Sequence, residues 1–123
     1  MVAGLIADAS GQVKVADSKN EIFFAKALDK LRILFLYKYD IYGAAMGLRG
    51  GIEVDYVFLP WMWPGELFGE FWHTGQLGAD DQLKLAREFK YFKRYPIIIW
   101  GKDTATEEDA LKTASIIKSR YGL

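Results

Sequence analysis

The sequence predicts an α/β domain with a mixed central β-sheet flanked by helices, residues 1–17 forming an N-terminal arm and 18–123 the folded unit. Three observations predict it. The chain has 123 residues, enough for one continuous core. Capped segments with helical periodicity alternate with short apolar runs rich in β-branched and aromatic residues, in the order helix, strand, strand, strand, helix, strand, helix. No internal repeat, low-complexity tract or linker interrupts that order.

Each element has its own signal. Residues 1–17 are weakly patterned, an irregular arm or a short strand over 12–15. Ser18-Lys19-Asn20-Glu21 reads as a capping box, in which the serine accepts from the Glu21 amide and Glu21 reaches back to the cap. It opens a helix to about residue 31, with Phe24, Ala27, Leu28 and Leu31 on one face. Residues 33–37 form a short buried strand by length and composition, and the glycine-rich piece 43–51 is a turn, either a hairpin or a lid. Residues 52–59 make the next strand. Pro60 and Pro64 bracket a turn closed by Gly65, and a third strand over 66–71 ends near His73. Asp80 or Asp81 caps a helix to about residue 92, with Leu83, Ala86 and Phe89 on one side and Lys84, Arg87, Glu88 and Lys90 on the other. Residues 96–100 read as a fully buried strand stopped by Gly101. Thr106 caps a last helix that turns Ala110, Leu111, Ala114 and Ile117 inward.

Composition narrows the chemistry. Hydrophobic residues at 51% and charged residues at 26% are ordinary for a globular protein. Aromatics reach 15% and cluster between Tyr56 and Trp72, which points to a binding surface or a bulky core there. Sixteen basic residues balance sixteen acidic ones, so any nucleic-acid contact must come from a local patch. The absence of cysteine excludes disulfides, thiolate nucleophiles and cysteine-bound zinc. No apolar run reaches the roughly 18 residues of a membrane span. The opening Met-Val-Ala-Gly-Leu-Ile lacks a basic leader region. The expectation is a cytoplasmic protein with no membrane partner.

The chemical interest lies in Val54-Asp55-Tyr56-Val57-Phe58 and, eleven residues after Asp55, Glu66-Leu67-Phe68-Gly69-Glu70-Phe71-Trp72-His73. A fold buries carboxylates when a cation or a network of donors compensates them. Strands that bring Asp55 and Glu66 together make an oxygen-rich pocket suited to Mg²⁺ or Mn²⁺. Trp61 and Trp63 on the proline-bounded turn offer a partner surface or a base-stacking platform. Lys84, Arg87, Lys90, Lys93 and Arg94 are either a solvated face or a phosphate track.

That order of elements, with a glutamate in the first helix, an aspartate in a strand and a glutamate on the next, resembles the PD-(D/E)XK nucleases. Gly69-Glu70-Phe71-Trp72-His73 also resembles the Gly-Cys-Phe-Trp-His stretch of the very-short-patch-repair endonucleases. Asp80 to Arg87 and Ile98-Ile99-Trp100 match the acidic and arginine-bearing helix and final strand downstream, so the likeness runs from about Ser18 to Asp103. It implies a metal-dependent DNA endonuclease, bacterial or phage-encoded. Asp55 and Glu66 would be metal ligands together with the backbone carbonyl of Leu67. His73 would be a general acid or phosphate contact, and Phe71 and Trp72 a wedge into the DNA stack. Asp80 or Asp81 would lie near the active site, and Glu21 would be an added acidic residue.

Two departures accompany the likeness. The position two after Glu66 is Phe68, where such enzymes carry a lysine, and phenylalanine accepts no proton, so Lys84 or His73 would have to replace it. The cysteine-dependent structural zinc site is also missing. Duller accounts stand beside each residue: Glu21 as a capping partner, Glu66 as a solvated strand start, His73 as a surface side chain, and Phe71 or Trp72 as core. The alternative function is therefore a catalytically inactive nuclease-fold module, binding nucleic acid or serving as a structural part of a phage, a homo-oligomer or a larger complex.

Overall fold

A four-stranded mixed sheet carries the fold in the computed structural model, which describes residues 4–69 and 77–123. The elements are β1 (Leu5–Ala7), β2 (Val13–Val15), α1 (Lys19–Lys30), β3 (Phe35–Ile41), β4 (Ile52–Phe58), β5 (Trp63–Phe68), α2 (Ala79–Phe92), β6 (Ile97–Trp100) and α3 (Glu107–Tyr121). The sheet runs β3-β4-β5-β6. Its first two pairings are antiparallel and the third, β5 with β6, is parallel, with α2 as the crossover. The N-terminal arm is a separate β1–β2 hairpin. Bonds to β3 fix it, among them those from the Ala9 amide to the Phe35 carbonyl, from the Tyr37 amide to Asp8 Oδ2, and from Lys14 Nζ to the Lys38 carbonyl.

Both faces of the sheet are covered. Under α1 and α3, Phe24, Leu28, Phe35, Tyr56, Phe58 and Ile99 form the larger core. Phe24 meets Tyr56 edge-on with ring centroids 5.1 Å apart. Small side chains (Ala27 on α1, Ala110 and Ala114 on α3) let those helices approach. The caps are as expected, Ser18 accepting from the Glu21 amide and Thr106 from that of Asp109. On the opposite face Ile41, Ile52, Val54 and Val57 pack with Leu36, Tyr39, Met62 and Phe92. Among the described residues no helix is long and apolar enough to cross a membrane.

Several boundaries differ from the sequence reading. Strand β3 continues past Tyr37 to Ile41, because Ile41 and Tyr39 belong to the second core and the polar residues between them do not end the strand. Strand β5 starts at Trp63 rather than Glu66 and ends at Phe68. Pro64 is tolerated there because the pairing with β6 begins only at Gly65, so no neighbour on that side asks for the missing N–H. Strand β6 lies at the sheet edge and Ile98 is partly exposed, so it is not buried on both faces. Helix α2 begins after Gly78 without a side-chain cap, and Asp80 and Asp81 lie in its first turn, where the helix dipole favours acids.

Gly65 is fixed by packing. A Cβ built there would lie 2.6 Å from Phe58 Cε2 and 3.5 Å from the Ile97 carbonyl oxygen. Gly65→Ala is expected to destabilise the fold by about 1–3 kcal/mol through overpacking. Urea unfolding checks this, and an unchanged midpoint would contradict it.

The larger correction concerns the facing of α2. Leu83 is 62% exposed, Phe89 42% exposed, and Ala86 is also exposed, whereas Glu88 is 0% exposed. The helix turns Lys84, Glu88 and Phe92 toward the sheet side and its apolar stripe outward. Phe92 alone of that face is apolar core, against Tyr39 at 6.4 Å. What α2 brings to the sheet is mainly charge.

Candidate functional site

Asp55 has no ladder partner, alone among the seven residues of β4. Toward β3 the register runs through Tyr37–Tyr56 and resumes at Tyr39–Val54, skipping the position where Lys38 faces Asp55. Lys38 is in the left-handed region with φ 52°, a backbone state costing roughly 1–3 kcal/mol outside glycine. Its ammonium is anchored on the Val15 carbonyl at 2.8 Å and Asp17 Oδ1 at 2.9 Å. Toward β5 the ladder ends at Tyr56–Gly65. The sheet is therefore open on both sides of Asp55.

Side chains take over where the ladder stops. The Asp55 amide donates to Glu66 Oε2 at 3.0 Å, and the Leu67 amide donates to Asp55 Oδ2 at 2.9 Å. Each carboxylate thus serves the backbone of the other strand. Glu66, 1% exposed, gives its second oxygen to Lys84 Nζ at 2.5 Å. A lysine from α2 thus stands beside the two acids, while Phe68 is buried with its ring 6.0 Å from that of Trp100. Sequence reading kept Lys84 both as a phosphate contact and as a substitute for the absent lysine. The geometry places it on Glu66.

Glu88 is the residue that sequence reading assigned to solvent. It lies one helical turn after Lys84, fully buried; among the described residues no N–H or hydroxyl donates to it, and its hydrogen-bonding neighbour is the Glu66 carboxyl, a contact that needs one of the two acids protonated. The legible signal was the i, i+4 spacing from Lys84, which puts both on one helix face. Its field reaches Glu66 and it feels Asp55 and Lys84.

Burial and crowding raise the pH at which these acids ionise. Burial, then the Glu66 charge, pushes Asp55 up to about 7, against the opposing pull of the Leu67 amide and Lys84. Burial, then Glu88, pushes Glu66 up to about 8 despite Lys84. Burial pushes Glu88 up to about 7, with Lys84 opposing. Burial alone would lower the Lys84 pKa, but Glu66, Asp55 and Glu88 outweigh it and hold the ammonium above its ordinary range. Fully ionised, three carboxylates face one ammonium. Oxygen donors with surplus negative charge fit a hard divalent cation such as Mg²⁺ or Mn²⁺. Among the described residues, no three acidic or imidazole groups converge on one point.

The other candidates fall at varying distances from this pair. Glu21 is buried and held by the Tyr37 hydroxyl and by Ser18, and its charge adds to the rise at Asp55. It serves both its capping role and the site's field. Asp80 is exposed and Asp81 half-buried in the first turn of α2. Arg87 stacks on Tyr42 with 4.6 Å to the ring centroid. Trp61 is 50% exposed, and its indole donates to the Gly122 carbonyl. Trp63 is half-buried, donating to the Tyr95 carbonyl, edge-on to Tyr121 and covered by Arg94. Trp63 is three residues along β5 from Glu66, roughly 10 Å. Phe71, Trp72 and His73 lie outside the described residues.

Set against models of protein families, curated proteins and solved structures, the chain matches none. Function is therefore read from the site itself.

Proposed function

We propose that this chain is a divalent-cation-dependent nuclease acting on DNA phosphodiester bonds, with the core arrangement of the PD-(D/E)XK enzymes. The single observation that carries the reading is the Lys84 ammonium seated on Glu66 beside Asp55, at the one unpaired position of β4. It gives two acids and a lysine side by side although Phe68 occupies the usual lysine position. The order α1-β3-β4-β5-α2-β6, antiparallel then parallel at β5–β6, supports the same reading.

Asp55 and Glu66 would hold Mg²⁺ or Mn²⁺, with the Leu67 carbonyl as a third donor. The ion would supply charge neutralisation at the phosphate and a hydroxide at neutral pH. Lys84 stays protonated in the field of its carboxylates, so it acts as a positive donor toward a phosphate oxygen rather than as a base. His73 would protonate the leaving oxygen, and Phe71, Trp72 and Arg87 would lie along the DNA. Trp61 would stack a base from the hairpin.

Plasmid nicking with Mg²⁺ and with Mn²⁺ tests the proposal. Asp55→Ala and Lys84→Ala are each expected to reduce nicking by on the order of 10²–10³, with circular dichroism unchanged. Nicking retained in Asp55→Ala would remove the assignment. A second reading, an inactive module kept for interaction, is favoured by the exposed apolar side chains Leu83, Phe89 and Tyr91 on α2. It expects no nicking with either ion and self-association or complex formation that Leu83→Glu disrupts.

A further inference from the structure

The ladder between β3 and β4 is interrupted symmetrically at Lys38 and Asp55. Tyr37 pairs with Tyr56 and Tyr39 with Val54, so neither strand carries an extra residue there. Yet Tyr37 and Tyr56 belong to the larger core, whereas Tyr39 and Val54 pack in the second, on the opposite face. Residues two apart share a face in a regular strand, so both strands change face at this one position. The hydrogen bonds change with it. The Phe35 carbonyl and the Tyr37 amide are turned to the arm, which in regular alternation leaves Leu36 and then Lys38 to bond β4. Lys38 and Asp55 would then be a bonded pair. Instead the Lys38 carbonyl accepts from Lys14 Nζ at 2.6 Å, and the same ammonium donates to the Tyr37 carbonyl at 3.2 Å. The Asp55 amide donates to Glu66 Oε2 at 3.0 Å.

We propose that Lys14 is a positioning residue for the Asp55–Glu66 pair. It takes the carbonyl that a regular ladder would give to the Asp55 amide, and that amide is left to hold Glu66. The clasp runs in both directions: Lys14 of β2 reaches β3, and Lys38 of β3 reaches back to the Val15 carbonyl and Asp17. Bonds from an ammonium are stronger than the amide–carbonyl bonds of a ladder, which is what holds Lys38 in its left-handed state at φ 52°. The N-terminal arm thus sets the hydrogen bonding of an aspartate that lies beyond β3. This geometry stands apart from the nuclease reading, and only its consequence for nicking rests on that reading.

The test is NMR on the whole chain without added metal, reading scalar couplings across hydrogen bonds from the Asp55 amide nitrogen. The wild type is expected to couple to the Glu66 carboxyl carbon and not to the Lys38 carbonyl carbon. Lys14→Met keeps the aliphatic stem and removes the ammonium. It is expected to lose the Glu66 coupling and gain the Lys38 coupling as the ladder closes. Lys14→Arg, which can still donate to both carbonyls, is expected to keep the wild-type pattern. Should Lys14→Met fail to fold, Lys14→Thr, a good strand former too short to reach β3, carries the same measurement. A stem that merely packs would leave the methionine variant unchanged, so a persisting Glu66 coupling in Lys14→Met would overturn the proposal. Its absence from the wild type would overturn it as well. Plasmid nicking, read in parallel, should fall by about 10–100-fold in Lys14→Met and return in Lys14→Arg. The expected change of couplings with no nicking by any form, wild type included, would overturn the nuclease reading and leave the role of Lys14 standing.

Discussion

Raising the pH from about 5 to about 8.5 without divalent cations is expected to destabilise the protein by on the order of 3–6 kcal/mol. The cause is the acid cluster. In the unfolded chain Asp55, Glu66 and Glu88 titrate near ~4. In the folded chain burial and mutual repulsion raise them to about 7, about 8 and about 7. Between these ranges the folded state holds protons that the unfolded state has lost, so stability falls as pH rises. The loss begins above the unfolded values and is complete once pH has passed the folded ones. Coupling within the cluster keeps the total below the sum of three independent shifts. Asp8 does not offset it: burial is outweighed by bonds from Ser10, Tyr37 and Gln12, its pKa is lowered, and the stability it contributes is lost only at acid pH. For a chain of this size the melting temperature should drop by roughly 10–20 °C. Thermal melts in a chelator across that range check it. Glu66→Gln should flatten the profile, and Mn²⁺ at the alkaline end should restore most of the lost stability. A profile that rises or stays level over the same range would show that the cluster is not buried as described.

The sequence carried most of the architecture because local signals and tertiary packing agree there. The caps at Ser18 and Thr106 and the alanine-bearing face of α3 are local features: each cap accepts from its expected amide, while the Glu21 carboxylate accepts from the Ser18 and Tyr37 hydroxyls rather than from the cap N–H. The Asp55–Glu66 pairing was also legible, since an acid on each of two adjacent strands is a topological consequence of the hairpin. Strand β5 was misplaced by three residues because Pro64 reads as a turn, and only the late start of β6 makes a proline harmless there. The facing of α2 was illegible for a deeper reason. Amphipathicity assumes that a helix buries its apolar side, and here an electrostatic requirement at Glu66 sets the rotation instead. Sequence logic fails at the place where the fold holds its charge, and such failures are expected at functional sites.

Lys84→Met separates that electrostatic role from simple packing. The methionine keeps the aliphatic stem and helix propensity but removes the ammonium from Glu66 Oε1. Removing one partner of a buried pair leaves the other uncompensated, a loss of about 3–5 kcal/mol that the partial exposure of Lys84 reduces to roughly 2–4 kcal/mol. The size should depend on pH in a defined direction. Lys84 has a folded pKa raised above its ordinary value, so its own charge persists throughout the range from acid to about pH 8.5. The carboxylates change instead: near about pH 5 they are protonated and the ammonium has little to neutralise, whereas near about pH 8 Glu66 is an anion that needs it. The variant should therefore unfold almost like wild type in acid and well below it in alkali. Adding Glu66→Gln to Lys84→Met should recover about 1–3 kcal/mol of the loss at the alkaline end, the coupling expected of residues in one network. Equal destabilisation at both pH values, with no recovery in the double variant, would make Lys84 a packing residue. It would also remove the ammonium from any part in holding the acids in place.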